Sequence, residues 1–269
     1  MFVTKKLVYL QMQKTGSTHV TKVLKQHTKG KAKERHEQLE DYEAYRDRLI
    51  VSSVRNPWDW YVSLWAFGCG GSGGFHKYLI HTPWSEIRHA QRHGGAGALA
   101  GSLIRSAALI GRRPDWKALY ADASNEANFR TWLKLVLGEE GRHIQKEGYA
   151  TSDVKSVIGF KTYRFLALTT AFDKWNNIGR KARTYEELAR FADEHTITKR
   201  ILRMETLNGD IFDMLQSVGA KVTLEDIEAI GKTNISVHRK YDTYYDDETY
   251  KLVAERDRFI IDRYGYKMF

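Results

Sequence analysis

The sequence contains a single cysteine, Cys69, and only three prolines in 269 residues. One cysteine excludes an internal disulfide and is typical of a reducing compartment. No apolar run approaches the roughly 18 residues that cross a membrane, and the first residues lack the apolar segment and cleavage site of a secretory signal. We therefore expect a cytoplasmic protein without an integral membrane segment. The scarcity of proline and the lack of low-complexity tracts also argue against a disordered nucleic-acid-binding arm.

Basic side chains are in excess, since 43 Lys and Arg stand against 33 Asp and Glu and give a formal net charge of +10. This surplus favours an anionic partner, whether nucleic acid, a membrane surface or a phosphorylated ligand, and does not choose among them. The basic residues are scattered apart from one dense stretch at 25–35, for which a solvated surface is the simpler interpretation. The contents of 42% hydrophobic and 28% charged residues are those of a folded globular protein.

Two strand–turn–helix units are predicted in the first quarter of the chain. Residues 7–12 form an apolar run followed by the polar sequence Gln-Lys-Thr-Gly-Ser-Thr, after which apolar residues recur at helical spacing. Residues 49–54 form a second β-rich run, bounded by Arg55-Asn56-Pro57. Pro57 cannot continue a central strand but suits the first turn of a helix. Each unit therefore places polar residues between a strand and the following helix.

The rest of the chain continues this alternation. A third core strand is predicted at 200–204, and helices are predicted at 37–45, 129–137, 186–191, 209–218, 224–230 and 247–264. Gly219 and Gly265 are expected to close two of these helices. Strands that alternate with helices predict an α/β protein with a largely parallel sheet. We predict a single domain over residues 1–269, with a variable, partly flexible insertion at about 68–113, where glycine is abundant.

The first turn, Lys14 to Thr18, has the residues of an anion-binding site. Backbone N–H groups and the positive end of the dipole meet at the start of a helix. Gly16 allows close approach of a ligand, Ser17 and Thr18 supply hydroxyl groups, and Lys14 supplies a charge. A simple helix cap would explain Gly-Ser-Thr equally well. The turn is not a Walker A loop, in which the lysine follows the last glycine, so an ATPase is disfavoured.

The second turn supplies a guanidinium and a hydroxyl, because Arg55 ends its strand and Ser63 follows about two helical turns later. Together the two turns resemble the motifs of the PAPS-dependent sulfotransferase family, with its bacterial and carbohydrate-type members; PAPS is 3′-phosphoadenosine 5′-phosphosulfate. In that family Pro-Lys-x-Gly-[Ser/Thr]-[Ser/Thr] usually binds the 5′-phosphosulfate, and Arg-[Asp/Asn]-Pro-x-Asp-x-x-x-Ser binds the 3′-phosphate. Gln13 stands where proline is usual. The segments at 203–207, 234–236 and 244–246 also resemble this family, whereas residues 68–156 match nothing in it.

The resemblance implies a fold, a cofactor and a reaction. The fold is P-loop-like, with three α/β/α layers around a central, mainly parallel sheet, and PAPS is the cofactor, with PAP as its product. The reaction is in-line transfer of a sulfuryl group to a hydroxyl or amine of a carbohydrate, glycolipid or small hydroxylated metabolite. The insertion at 68–113 would form the acceptor side. The cofactor-binding residues implied are Lys14, Thr15, Gly16, Ser17, Thr18, Arg55, Ser63 and Ser236.

Two residues are the candidates for catalysis. Lys14 is placed to neutralise charge on the leaving phosphate. His36 is the candidate general base, because related enzymes carry a histidine or glutamate after the first helix, and histidine titrates near neutrality. Glu37 is the next candidate, followed by His76 and His81 if the insertion folds over the site. The histidines show no spacing typical of a metal site.

Two other classes of protein share part of this pattern. A P-loop kinase acting on a small molecule would share the fold and the basic site, but it would need Mg²⁺ and typically the full Walker A glycines. A basic nucleic-acid-binding protein without enzymatic activity would share the charge. The aromatic residues Trp58, Trp60 and Trp65 could stack on adenine, although a stripe on one helix favours a role in the core.

Overall fold

A five-stranded sheet forms the centre of the protein in the computed structural model, which describes residues 1–80, 114–145, 147–231 and 237–267. The strands are β1 (Phe2–Thr4), β2 (Leu7–Tyr9), β3 (Gly30–Ala32), β4 (Leu49–Val54) and β5 (Arg200–Arg203). Their spatial order is β3-β1-β2-β4-β5. The protein is therefore an α/β protein in which the two strands that precede the polar turns, β2 and β4, are neighbours.

Helices make up most of the remaining described chain. They are α1 (Ser17–His27), α2 (Pro57–Cys69), α3 (Gly74–Ile80), α4 (Trp116–Leu119), α5 (Glu126–Leu137), α6 (Glu139–Ile144), α7 (Phe160–Thr169), α8 (Phe172–Asn177), α9 (Tyr185–His195), α10 (Leu207–Ser217), α11 (Leu224–Ala229), α12 (Asp247–Arg256) and α13 (Arg258–Tyr264). Within the described residues, none of these helices combines the length and the apolar character needed to cross a membrane.

The sheet is mixed, whereas the sequence predicts a mainly parallel one. β2 pairs in parallel with β4, and β4 with β5, but β1 is antiparallel to both β2 and β3. The antiparallel additions β1 and β3 have three residues each, too few to show the alternation that identifies a strand in a sequence. Because β2, β4 and β5 run in the same direction, the segments that follow them all emerge at one edge of the sheet, where α/β proteins bind ligands.

Both faces of the parallel strands are covered. Tyr9 and Val51 pack with residues of α1 and α10 on one face, whereas Val8 and Ile50 pack with Ile197 on the other. Successive strand residues point to opposite faces, so two-sided burial explains why these strands have apolar side chains in succession. The strands are therefore held rigidly beneath the turns that follow them.

The tryptophans of α2 are core residues, as their spacing favours. Each is at most 1% exposed. Trp58 stacks on Tyr250 with 5.0 Å between ring centroids, and the indole N–H of Trp65 donates to a backbone carbonyl. The indole of Trp60 donates to the carbonyl oxygen of Gln13 at 2.7 Å. None of the three rings is available to stack on adenine, and Trp60 instead fastens the first polar turn to α2.

Two predicted helices are wrong in extent. Residues 37–45 contain only a 3₁₀ turn, Glu43–Tyr45, because Leu39 is the only buried residue in that segment and no apolar face exists. The predicted helix at 247–264 is instead the pair α12 and α13, which break at Asp257. The buried Asp257 carboxylate accepts hydrogen bonds from the backbone N–H of Thr162 and the hydroxyl of Tyr61.

The first part of the predicted insertion is more regular than its glycine content suggests. Gly68 belongs to the last turn of α2, where an added Cβ would lie 2.4 Å from the ring of Tyr120. A short turn follows, with left-handed backbone at Gly71 and Gly73, and α3 begins at Gly74. Residues 81–113 lie outside the described residues. The glycines of residues 68–74 therefore allow close packing on Tyr120 and a tight turn between α2 and α3.

Candidate functional site

The first polar turn opens onto a cavity of about 290 Å³ at the edge where β2 and β4 end. Lys14 and Gly16 both have left-handed backbone, with φ of 58° and 75°, and α1 begins at Ser17. The lining includes Lys14, Gly16, Ser17 and Thr18 of the turn, together with Gln13, Arg35, His36, Leu64, Phe67, Ser72, Gly73, Gly74, Phe75 and His76. Among these described residues there is no carboxylate, so the cavity suits an anion.

A chain of hydrogen bonds between buried hydroxyl groups holds the turn against strands β2 and β4. Thr15 Oγ1 donates to the carbonyl oxygen of Met12 at 2.9 Å, so its other hydrogen bond, to Ser53 Oγ at 2.6 Å, must be accepted. Ser53 therefore donates to Thr15 and accepts from Tyr9, whose hydroxyl lies 2.8 Å away. All three side chains are buried. The Thr15 hydroxyl thus supports the turn, and its side chain does not face the cavity as a cofactor-binding group would.

Gly16 is required by its backbone conformation and by its neighbours. Its φ of 75° is costly for residues with a Cβ. An added Cβ would also lie 2.4 Å from Leu207 Cδ2 and 2.8 Å from the sulfur of Met204. The loop after β5 therefore packs directly on this turn, and the glycine lets two strand ends meet beneath the cavity.

We expect Gly16→Ala to lower the free energy of unfolding by about 1–3 kcal/mol, as for other residues held in an unfavourable backbone region. The matched control is Gly209→Ala within α10, where nothing lies within 4 Å of the added Cβ. That change should stabilise the protein by about 0.5–1 kcal/mol, because alanine favours a helix over glycine. Urea denaturation of the three proteins measures both changes, and equal effects would contradict this role of Gly16.

The Lys14 amine loses its proton more readily than an exposed lysine does, because its pKa is lowered. Its Nζ lies 4.0 Å from the centroid of the Phe67 ring. Burial, and then the charge of Arg55, lower the pKa of Lys14 to about 8. An anion in the cavity would reverse this effect, because an opposite charge favours the protonated amine. Lys14 is therefore suited to bind an anion, because the negative charge would stabilise the protonated amine that burial disfavours.

Arg55 connects the second turn to the first. Its Nε and Nη2 donate to both carboxylate oxygens of Asp59 at 2.7 and 2.8 Å, and its Nη1 donates to the carbonyl oxygen of Lys14 at 3.2 Å. A guanidinium has more N–H donors than these three contacts use. Its side chain remains 12% exposed, so Arg55 can contribute the remaining donors to a ligand next to the turn.

The other predicted binding residues are not brought to the cavity. Ser63 is buried in α2, with 1% of its surface exposed, and neither it nor Arg55 lines the cavity. Ser236 lies outside the described residues. The structure therefore places Arg55 against the backbone of Lys14 but encloses the Ser63 side chain.

His36 faces the cavity in a defined protonation state. Its Nδ1 lies 2.7 Å from the carbonyl oxygen of Gln11. A carbonyl only accepts hydrogen bonds, so Nδ1 carries the proton and Nε2 holds a free lone pair. Burial lowers the pKa of His36 to about 4 despite this hydrogen bond, and the charge of Arg164 adds to the lowering. At neutral pH His36 is thus an uncharged imidazole able to accept a proton.

The other candidates for the base differ in position. Glu37 is fully exposed and does not line the cavity, and its hydrogen bond with Glu34 raises its pKa. His76 on α3 does line the cavity. Its ring packs edge-on against Tyr120 at 4.7 Å, and burial lowers its pKa. His81 lies outside the described residues. Of the two candidate histidines in the described part of the chain, His36 is the one whose tautomer is fixed by a backbone contact.

Sequence reasoning missed the residues that come to this cavity from distant parts of the chain. Phe67 and Phe75 form an apolar wall, and the side chain of Gln13 is held by the guanidinium of Arg164. The one hint in the sequence that position 13 differs in role was that Gln13 stands where proline is usual in the sulfotransferase motif that the first turn resembles. No pattern in the sequence connects position 13 with position 164.

Comparison of the chain with models of known protein families, with curated proteins and with solved structures found no match. Over the ranges that the structure describes, His, Cys, Asp and Glu do not gather into a group of three or more that could hold a metal ion. The two turns, the cavity and the residues that line it are therefore the features of the molecule that indicate its function.

Proposed function

We propose that the protein is a PAPS-dependent sulfotransferase. The observation that carries this proposal is that a basic turn at a helix start and an uncharged histidine whose Nε2 has no proton line the same cavity. The first would bind the phosphosulfate of the donor, and the second would take the proton of the acceptor. In this proposal the sheet belongs to a P-loop-like α/β/α arrangement, and the enzyme acts in the cytoplasm.

The donor side uses the two turns. Lys14, Ser17 and Thr18, together with the first N–H groups of α1, would hold the 5′-phosphosulfate. Arg55 lies against the Lys14 carbonyl and would contribute to the 3′-phosphate site with its unused donors. Ser63 belongs to the second motif by sequence resemblance, but its side chain is buried, so the 3′-phosphate site is proposed on Arg55.

The transfer step follows from these positions. The acceptor oxygen forms a bond to sulfur while the bond between sulfur and the bridging phosphate oxygen breaks, and the electron pair of that bond goes to the phosphate of PAP. The acceptor proton goes to His36 Nε2. Lys14 stabilises the charge that develops on the leaving phosphate. Holding the donor and the acceptor in the geometry of the reaction would further accelerate the transfer.

The acceptor would bind on the side of the cavity formed by α2 and α3. Leu64, Phe67 and Phe75 provide apolar and aromatic surface there, beside the polar group His36. Rings bearing hydroxyl groups fit such a mixed surface, because their faces pack on aromatic side chains while their edges form hydrogen bonds. We therefore propose a carbohydrate, a glycolipid or a small hydroxylated metabolite as the acceptor.

The direct test is thermal stabilisation by nucleotides. PAP should raise the melting temperature more than ADP or ATP with Mg²⁺, since only PAP carries the 3′-phosphate. Arg55→Ala should weaken PAP binding by about 1.5–3 kcal/mol, the range for a hydrogen bond to a charged group. Arg46→Ala is the matched control, because the Arg46 side chain is exposed and forms a surface ion pair with Glu43.

Two results would contradict the proposal that the protein is a sulfotransferase. Preferential stabilisation by ATP with Mg²⁺ would indicate a P-loop kinase acting on a small molecule. Binding to DNA or RNA that falls steeply with salt, without a preference for PAP, would indicate a nucleic-acid-binding protein. Stabilisation by PAP that Arg55→Ala leaves unchanged would remove the second turn from the site.

A further inference from the structure

Gln13 lines the same cavity as His36 and Lys14, the two groups that would perform the chemistry. The same short stretch of chain contacts both groups, because the carbonyl of Gln11 holds His36 and Lys14 follows Gln13 directly. In an in-line transfer the attacking and leaving oxygens lie on opposite sides of sulfur, and the three sulfuryl oxygens lie between them. A hydrogen-bond donor that lines the same cavity as His36 and Lys14 is therefore a candidate contact for the sulfuryl oxygens.

The orientation of the Gln13 carboxamide is fixed by Arg164. Arg164 Nη1 donates to Gln13 Oε1. A guanidinium has donors only, so the amide oxygen must point towards Arg164 and the amide NH₂ must point away from it. No described residue accepts a hydrogen bond from Gln13 Nε2, while Gln13 lines the cavity. Two N–H donors are thus available to a ligand.

Arg164 is itself a buried and firmly held residue. It is 7% exposed, its Nη2 pairs with Glu147 Oε1 at 2.9 Å, and its guanidinium lies 5.3 Å from the centroid of the Phe160 ring. Glu147 has left-handed backbone with φ of 63°. A buried arginine that gives one hydrogen bond to a cavity-lining amide has a positioning role, because removing it frees that amide to rotate.

We propose that Gln13 Nε2 donates hydrogen bonds to the sulfuryl oxygens of the bound donor, and that Arg164 is the positioning residue that presents it. This inference rests on the proposed function and adds a contact to it. It gives Gln13 a role in telling a sulfated nucleotide from the desulfated product, since PAP has no sulfuryl oxygens. The departure from proline at this position therefore becomes a specificity determinant of this chain.

The experiment measures equilibrium binding of PAPS and of PAP, without acceptor, to the wild-type protein and to Gln13→Met. Methionine keeps the length of the side chain and removes the donors. PAPS binding should weaken by about tenfold or more, as for loss of a hydrogen bond to a charged group, while PAP binding stays within about twofold. Equal weakening of both ligands would assign Gln13 to turn structure alone, and no change would remove the contact; either result overturns the inference.

Three further variants separate this inference from folding defects and from the proposed function. Gln13→Glu keeps the contact with Arg164 but has only acceptor oxygens, so PAPS binding should fall more than PAP binding in a protein that still folds. Arg164→Met should reduce the PAPS preference and raise the pH of the acid limb of activity by removing charge near His36, and Arg164→Lys should partly restore both. A wild-type protein that binds neither nucleotide would refute the proposed function instead.

Discussion

Replacement of His36 by glutamine should lower turnover about 10²–10⁴-fold, the range for loss of a general base, without weakening PAP binding. Glutamine is suited to this test because its amide N–H can still donate to the Gln11 carbonyl that holds Nδ1 at 2.7 Å. The side chain would keep its place in the cavity wall but would have no lone pair basic enough to take the acceptor proton. The effect would therefore be on kcat rather than on affinity for the nucleotide.

The pH profile gives this prediction a second readout. Because His36 acts as a base only when uncharged and its pKa is lowered to about 4, kcat/KM should fall only as the pH drops through about 4, not near 6.5. His36→Gln should lose this acid limb. The control is His27→Gln at the end of α1, which does not line the cavity. A His36→Gln protein with wild-type turnover would remove His36 as the base and favour His76.

Replacement of Lys14 by methionine should lower turnover about 10²–10³-fold, the range for loss of one group that stabilises charge in the transition state. Methionine retains the contact with the Phe67 ring, which lies 4.0 Å from Nζ, but cannot neutralise the phosphate that leaves. PAP binding should also weaken, since in the proposed complex Lys14 would contact the same phosphate of the product. Single-turnover kinetics separates the loss in the chemical step from the loss in binding.

The fall of kcat/KM at high pH should report the deprotonation of Lys14. The amine stabilises an anion only while protonated, and its pKa in the free protein is lowered to about 8, so kcat/KM should fall as the pH rises through about 8. Lys14→Met should lack this limb. Lys22→Met on the exposed side of α1 removes the same charge from outside the cavity and should keep the limb. Persistence of the limb in Lys14→Met would assign it to another group.

Some of the fold could be predicted because the evidence for it is local. β4 covers residues 49–54 as predicted, since both faces of the strand are buried and five of its six residues are enclosed. α2 begins at Pro57, a residue whose fixed φ suits the first helical turn. Gly265 closes α13 in the left-handed conformation expected of it. Where a boundary depended on distant contacts, as at Asp257, the periodicity alone gave the wrong result.

The position of the candidate anion site can be predicted from local sequence, because a lysine, a glycine and a helix start are neighbours in the chain and bring their own geometry. What each side chain can do at that site depends on contacts between distant parts of the fold. Thr15 is buried against Ser53 of β4, Ser63 is buried within the fold, and His36 is an uncharged imidazole because burial disfavours its protonated form. Gln13 acquired a fixed orientation from Arg164, 151 residues away. Burial and contacts at that separation depend on how the whole chain packs, and no local pattern contains them.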